Sequence, residues 1–364
     1  MIDNNKVVDT LRKISDPVTG MDIVTSRRIS NLKIEENNIL FTLMANTIDE
    51  KTKAQLNSDI YSALKIDFPN AEIHIHMNQV SNQELKELGG SLPHIKNIIA
   101  VASGKGGVGK STISVNTAIA LSQMGFRVGL IDADLYGPSI PTMMGLKGQK
   151  PEVKNVYGNN KLIPIEKYGI HTMSIGFIIA EEQAVILRGP RLSGIIKQFI
   201  TETIWPELDY LIVDLPPGTG DIQLTLVQTV PVTGGLIVTT PQDVAIVDAV
   251  KAMNMFMMDN IKIPIIGVVE NMSWFTPVEL PDNQYFIFGK GGGEKLVKKS
   301  NSTLIAQIPL VQGLRESGDN GIPAAYDKDH PLYNVFMEMA KKISQQVAKR
   351  NANMEPTKQV HIKT

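Results

Sequence analysis

The chain has 364 residues, of which 43% are hydrophobic and 20% charged, with a formal net charge of -1 and no cysteine. That length implies two domains, and no apolar run approaches a membrane span. Near-neutral charge offers no global field for nucleic acid or an anionic membrane, and the lack of thiols excludes disulfides, a thiolate nucleophile and a thiolate metal site from this chain. The first residues carry neither a basic, apolar leader nor an Arg/Ser-rich one, so a cytoplasmic location is expected.

Residues 1–80 read as a small α+β domain. Val7, Val8, Leu11 and Ile14 recur at helical spacing until Asp16-Pro17 stops the helix. Residues 29–34 and 39–44 alternate as strands about a polar turn. A helix is predicted over 49–64 with Ala54, Ile60, Ala63 and Leu64 inward, then a strand over 71–77. His74 and His76 share one face of that strand, as a metal pair could, but no third ligand is close in sequence and two solvent-facing residues is the better reading. Residues 81–96, with Gly89-Gly90-Ser91 and Pro93, read as a polar linker.

From residue 97 to about 350 apolar strands alternate with helices, the pattern of an α/β, doubly wound, mainly parallel sheet. Strands are predicted at 98–102, 128–131, 210–213, 235–239, 263–269 and 304–308, and helices at 110–124, 192–203, 244–258 and 332–349. Residues 146–186 lack a helical period and read as a hairpin insertion, with strands at 162–165 and 170–175. The last helix carries one apolar stripe, Leu332, Phe336, Met339, Ala340, Ile343 and Val347, which suits core packing better than a membrane surface. Residues 351–364 read as a basic tail without structure.

The chemistry gathers at strand ends. After the first of these strands comes Gly104-Lys105-Gly106-Gly107-Val108-Gly109-Lys110-Ser111-Thr112. Gly104, four residues, then Gly109-Lys110-Ser111 is phosphate-loop spacing: the glycines turn backbone N–H groups toward phosphate, Lys110 adds charge and Ser111 can hold Mg²⁺. The second strand ends in Asp132-Ala133-Asp134, and the third in Asp214-Leu215-Pro216-Pro217-Gly218. Asp132 and Asp214 are further Mg²⁺ ligand candidates, and the Pro-Pro-Gly segment is a candidate nucleotide switch.

Lys105 is a second lysine inside the loop. With it, the motif resembles the deviant Walker A sequence of the MinD/ParA/nitrogenase-iron-protein class. That resemblance implies a P-loop NTPase fold, ATP with Mg²⁺ as ligands, ATP hydrolysis and a homodimer in which Lys105 reaches the nucleotide of the facing subunit. It also implies that Lys105, Lys110 and Asp134 are catalytic, Asp134 positioning water, and that Asn271 reads adenine. Within the class, the residues from Asp132 through Tyr136-Gly137-Pro138-Ser139 to Pro141, Arg188-Gly189-Pro190, the segment from Asp214 to Asp221, Gly267 to Ser273, Ile287 to Glu294 and Ile308-Pro309-Leu310 resemble the Mrp/ApbC iron-sulfur cluster carriers. Residues 1–80, with Asp16-Pro17-Val18-Thr19-Gly20, resemble the iron-sulfur assembly domain often fused ahead of them. The implied function is an ATPase that helps deliver iron-sulfur clusters to apo client proteins. The family usually carries a Cys-x-x-Cys pair between residues 272 and 287; this chain has none there, so no iron ligand is assigned and a cysteine-bearing partner is an alternative source. A MinD/ParA-like positioning switch acting on membrane or nucleoid is the alternative function.

Overall fold

The computed structural model describes residues 2–45, 48–78, 92, 94–134, 137–178 and 189–357. Contacts divide the chain into two compact units, one of Met1–His94, Glu152–Ile163 and Ile200–Glu207, the other of Ile95–Pro151, Pro164–Phe199 and Leu208–Thr364.

The first unit begins with α1 (Asn4–Leu11), β1 (Ile29–Glu35), β2 (Asn38–Met44), α2 (Glu50–Asp67) and β3 (Glu72–Asn78). Asp3 and Asp49 start the helices by accepting from the N–H groups of Asn5 and Thr52. β2 is the middle strand, antiparallel to β1 and parallel to β3. Its alternate residues Ile39, Phe41 and Leu43 point into a core with Leu56, Ile60 and Leu64 of α2 and Val7 and Leu11 of α1. Leu56, Ile60 and Leu64 form an i, i+4 row, so Ala54, read as inward, lies exposed off that row. Asp16 accepts from Arg28 Nε at 2.9 Å, both side chains being buried. Gly20 takes φ +76°, and a Cβ there would lie 2.6 Å from Ile204. His74 and His76 are exposed on β3.

In the second unit β4 (Ile95–Ala102) leads through the glycine loop to α3 (Lys110–Gln123), followed by β5 (Val128–Asp132) and α4 (Ile140–Met143). The insertion then yields two separate features. β6 (Glu152–Val156) and β7 (Asn159–Ile163) form an antiparallel hairpin that groups with the first unit: Tyr157 packs on that core and donates to Asp59 at 2.8 Å. Pro164 breaks the strand read at 162–165, and β8 (Ile165–Lys167) and β9 (Ile170–Ser174) join the second unit's sheet. Then come α5 (Gly189–Thr201), β10 (Leu208–Asp214), α6 (Asp221–Thr229), β11 (Gly234–Thr239), α7 (Asp243–Met257), β12 (Ile265–Phe275), α8 (Gly292–Ser300), β13 (Leu304–Leu310), α9 (Gln312–Asp319) and α10 (Tyr333–Asn353).

The sheet runs β13-β12-β11-β4-β10-β5-β9-β8, parallel throughout except for β8 at one edge. β4 is interior and buried on both faces, as its unbroken apolar run requires. The stripe of α10, Phe336, Met339, Ala340, Ile343 and Val347, is buried in the core with Ile113 and Ile119 of α3. Parallel order puts the C-terminal ends of β4, β5, β10 and β12 along one edge, and that edge holds the candidate site.

Of the expected linker 81–96, most lies outside the described residues; its end is structural, with Leu92 and His94 buried and Ile95 opening β4. Arg188 is also outside the described residues. The expected tail starts within a helix, since α10 continues to Asn353; residues 358–364 are outside the described residues.

Candidate functional site

The loop between β4 and α3 is built around close approaches. Gly107 and Gly109 adopt φ +79° and +82°, backbone that a side chain resists. At Gly109 there is also no space, because a Cβ would sit 2.2 Å from Asn271 Nδ2. Gly104 is equally confined: its Cβ would fall 2.0 Å from the Asp248 carbonyl carbon on α7. Ser103, buried ahead of it, donates through Oγ to the Lys105 carbonyl at 3.0 Å, while its own carbonyl accepts from Gly218 N–H at 2.9 Å. The glycine loop is thus tied to the segment following β10. Gln223 of α6 steadies that segment, donating from Nε2 to the carbonyls of Pro216 at 2.8 Å and Gly218 at 2.5 Å.

Three strand ends bring the charged residues together. Asp214 is fully buried and collects Lys110 Nζ at 2.7 Å, Ser111 Oγ at 2.6 Å and Ser114 Oγ at 2.6 Å. Asp132 lies opposite it in register across β5 and β10, also fully buried. It accepts from Ser174 Oγ at 2.9 Å and from the Asp134 N–H at 3.1 Å. Burial, and then the charge of Asp214, push the Asp132 carboxyl well above the usual carboxylate range, with Ser174 and Lys110 pulling the other way. Asp134 reaches Lys110 Nζ at 3.8 Å. Two buried carboxylates share a single buried lysine, and the donors are hard oxygens, so the set Ser111, Asp132 and Asp214 fits a divalent cation of the Mg²⁺ kind, which would take the place of a proton on Asp132.

Lys105 stands apart from this cluster. Its Nζ donates to Gln242 Oε1 at 3.1 Å, ahead of α7. Asn271, within β12, is buried and donates from Nδ2 to the Val108 carbonyl at 2.9 Å, which spends one amide hydrogen on the loop; among the described residues its buried Oδ1 has no hydrogen-bond partner. Beside it Met272 takes φ +55° where the β12–β13 register shifts. A cavity of about 410 Å³ opens there, lined by Gly109, Thr112, Asn271, Met272, Leu310 and Arg315 among others. Its apolar walls and two unsatisfied amide positions suit a planar heterocycle with polar edges.

Of the residues singled out in the sequence, the structure therefore gathers Lys110, Ser111, Asp132, Asp134 and Asp214 into one cluster, places Asn271 and Thr112 at an adjoining cavity, and holds Lys105 on another side of the loop. Sequence reasoning missed Ser114, Ser174, Gln223 and Gln242. Only Ser114 left a signal, one helical turn after Lys110 on a face that the loop motif already fixes.

The family model of the NUBPL iron-transfer P-loop NTPases matches residues 94–344, and that of an iron-sulfur cluster assembly protein matches residues 4–75. An iron-sulfur cluster carrier protein of Synechocystis is 42% identical over 351 residues, covering 96% of this chain and 99% of its own. One from Escherichia coli is 38% identical over 349 residues, covering 94% and 91%. Among solved structures, a nucleotide-binding protein from Archaeoglobus fulgidus in complex with ADP is similar, with 35% identity, a TM-score of 0.57 and coverage of 70% of this chain and 98% of that one. The cell division ATPase MinD of Pyrococcus furiosus, at 21% identity with a TM-score of 0.50 and coverage of 68% and 98%, shares the fold. No helix among the described residues is long and apolar enough to cross a membrane. The matched loop, strand ends and flanking unit leave one assignment: the chain belongs to the NUBPL iron-transfer P-loop NTPase family, with an iron-sulfur assembly unit ahead of the NTPase.

Proposed function

We propose that this protein is an ATP-hydrolysing iron-sulfur cluster assembly factor, working as a cytoplasmic homodimer that helps load clusters onto apo client proteins. The observation that carries the ATPase half is buried Asp214 holding Lys110 Nζ and Ser111 Oγ at 2.7 and 2.6 Å at the end of the phosphate loop. In this reading the triphosphate lies along the N–H groups of residues 104–112, and Lys110 leaves Asp214 for the β- and γ-phosphates. Ser111, Asp132 and Asp214 hold Mg²⁺, which when bound neutralises charge on those phosphates. Asp134 orients the attacking water, Lys105 adds a second cation to the phosphates, and the Asn271 amide meets the adenine edge.

The cluster is cargo. The 364 residues contain no cysteine, and clusters are held by thiolates, so the ligands belong to the client or to a cysteine-bearing partner.

The test has two arms. Purified protein should hydrolyse ATP; Lys110→Ala should abolish nucleotide binding or turnover, and Asp134→Ala should spare binding while slowing turnover about a hundredfold or more. Normal turnover by Asp134→Ala would remove it from catalysis. Anaerobic incubation with iron and sulfide should give no thiolate–iron absorbance with this chain alone, yet ATP-dependent activation when an apo iron-sulfur client is present. Failure to activate any apo client would sink the assembly reading and leave the ATPase.

A further inference from the structure

The two lysines of the phosphate loop are held by different chemistry. Lys110 faces the carboxylates of Asp214 and Asp134. The Lys105 ammonium has one polar partner among the described residues, the neutral Oε1 of Gln242 at 3.1 Å.

Both ends of that contact are fixed. The Lys105 carbonyl is pinned by Ser103 Oγ at 3.0 Å, and Gly104 presses on α7 so closely that a Cβ would lie 2.0 and 2.3 Å from the backbone of Asp248 and Ala249. Gln242 is the N-cap residue of that same α7, with φ -59° and ψ 134° and no side-chain bond to the helix it precedes. Glutamine is a poor choice at an N-cap, where Asn, Asp, Ser or Thr would satisfy a helix N–H. The needs of the helix therefore do not account for this side chain; its amide serves the loop.

A neutral amide is also a suitable strength of partner. A carboxylate would hold the ammonium in a charge-assisted bond about twice as strong and would compete with phosphate, whereas no partner would leave a flexible four-carbon stem to be ordered at the moment of binding. An amide oxygen orders the lysine and yields it to a stronger anion.

We infer that Gln242 is a positioning residue for Lys105: its amide oxygen holds the ammonium in place and yields it to the phosphates. The inference rests on the reading of Lys105 as a phosphate contact, in its own subunit or a facing one.

Hydrolysis of ATP and equilibrium binding of a fluorescent ATP analogue, measured on the full chain over a salt series, test it. Gln242→Glu keeps the shape and converts the tether to an ion pair, so kcat/KM should fall about tenfold at low salt and recover in part as salt screens the pair. Gln242→Ala removes the tether and leaves the lysine stem to be ordered on binding, so kcat/KM should fall by about two- to threefold, with the same salt dependence as wild type. A role in helix stability alone would move both variants by the same factor, with no difference in their salt profiles. Equal losses in the two variants, or a Gln242→Glu chain indistinguishable from wild type, overturn the proposal. Should the wild-type chain neither bind nor hydrolyse ATP, the functional reading falls first and takes this inference with it; should it hydrolyse ATP and Lys105→Ala do so equally well, only this inference falls.

Discussion

At the scale of residues, His94 shows how burial sets a pH response away from the loop. Its side chain is buried, neither ring nitrogen has a hydrogen-bond partner among the described residues, and burial lowers its pKa from 6.5 to about 4, against the opposing charges of Asp16 and Glu207. The native state therefore refuses a proton that the unfolded chain accepts. Stability is fully present above the unfolded pKa and declines as pH falls from about 6.5 toward 4, below which the two states bind equally. Between about pH 7 and about pH 5 the loss should be roughly 2 kcal/mol, read as a drop in the urea midpoint, and His94→Leu should flatten that slope. Equal slopes in both proteins would assign the acid sensitivity elsewhere. Nothing in the sequence around His94 announces this, since burial is a tertiary fact. The loop residues were legible for the opposite reason: phosphate chemistry demands glycine, lysine and serine at fixed spacing, whatever surrounds them. Ser114 and Gln242 fall between. They act on partners 100 and 137 positions away, Asp214 and Lys105, and a separation of that size carries no local signature.

At the scale of elements, the strands of the sheet and the longer helices were legible, and three of the short helices were not. β4, β5, β10, β11, β12 and β13 all lie on runs read as strands, and α3, α7 and α10 on runs read as helices, because burial on one or both faces imposes a period. α6, α8 and α9, with 9, 9 and 8 residues, offer two turns each and were not read. α9 is nonetheless important, because Arg315, Gly318 and Asp319 line the cavity together with Thr142 and Met143 of α4. What joins these short helices is a backbone contact: Gly321 has φ +70°, and a Cβ on it would lie 2.5 Å from Gly145 Cα. Tyr168 adds a hydrogen bond to the Gly321 carbonyl at 2.7 Å. Gly321→Ala should therefore destabilise the protein by about 1–3 kcal/mol and separate the two helices that frame the cavity, raising KM for ATP more than it lowers kcat. A lowered melting temperature with KM unchanged would show that the contact serves stability alone.

At the scale of the whole molecule, the sequence divides at a single point, near residue 96, whereas the first compact unit is discontinuous. Residues Glu152–Ile163 and Ile200–Glu207 belong to it although both are inserted among strands of the second unit's sheet. Their association is tertiary: Leu162 exchanges backbone hydrogen bonds with Glu202 and Ile204 at 2.9 and 2.8 Å, and Ile204 covers the bare Cα of Gly20. No composition shift marks such a boundary, because each segment alone is an ordinary strand or loop. The consequence is a prediction about truncation. Removing residues 1–94 leaves Tyr157 without Asp59 and without the core it packs on, and leaves Ile204 without Gly20. Apolar surface that the full chain covers is then exposed; Tyr157 and Ile204 are half-buried, so each forfeits less than the about 1.5–3 kcal/mol of a fully buried side chain. The truncated chain should melt at a lower temperature than the full protein and bind a hydrophobic dye such as ANS, while a fragment lacking 152–163 and carrying a short Gly/Ser connection in its place should bind less dye. If residues 95–364 melt as high as the full chain and bind no dye, the two inserted segments owe nothing to the N-terminal residues, and the first unit ends where the sequence alone would end it.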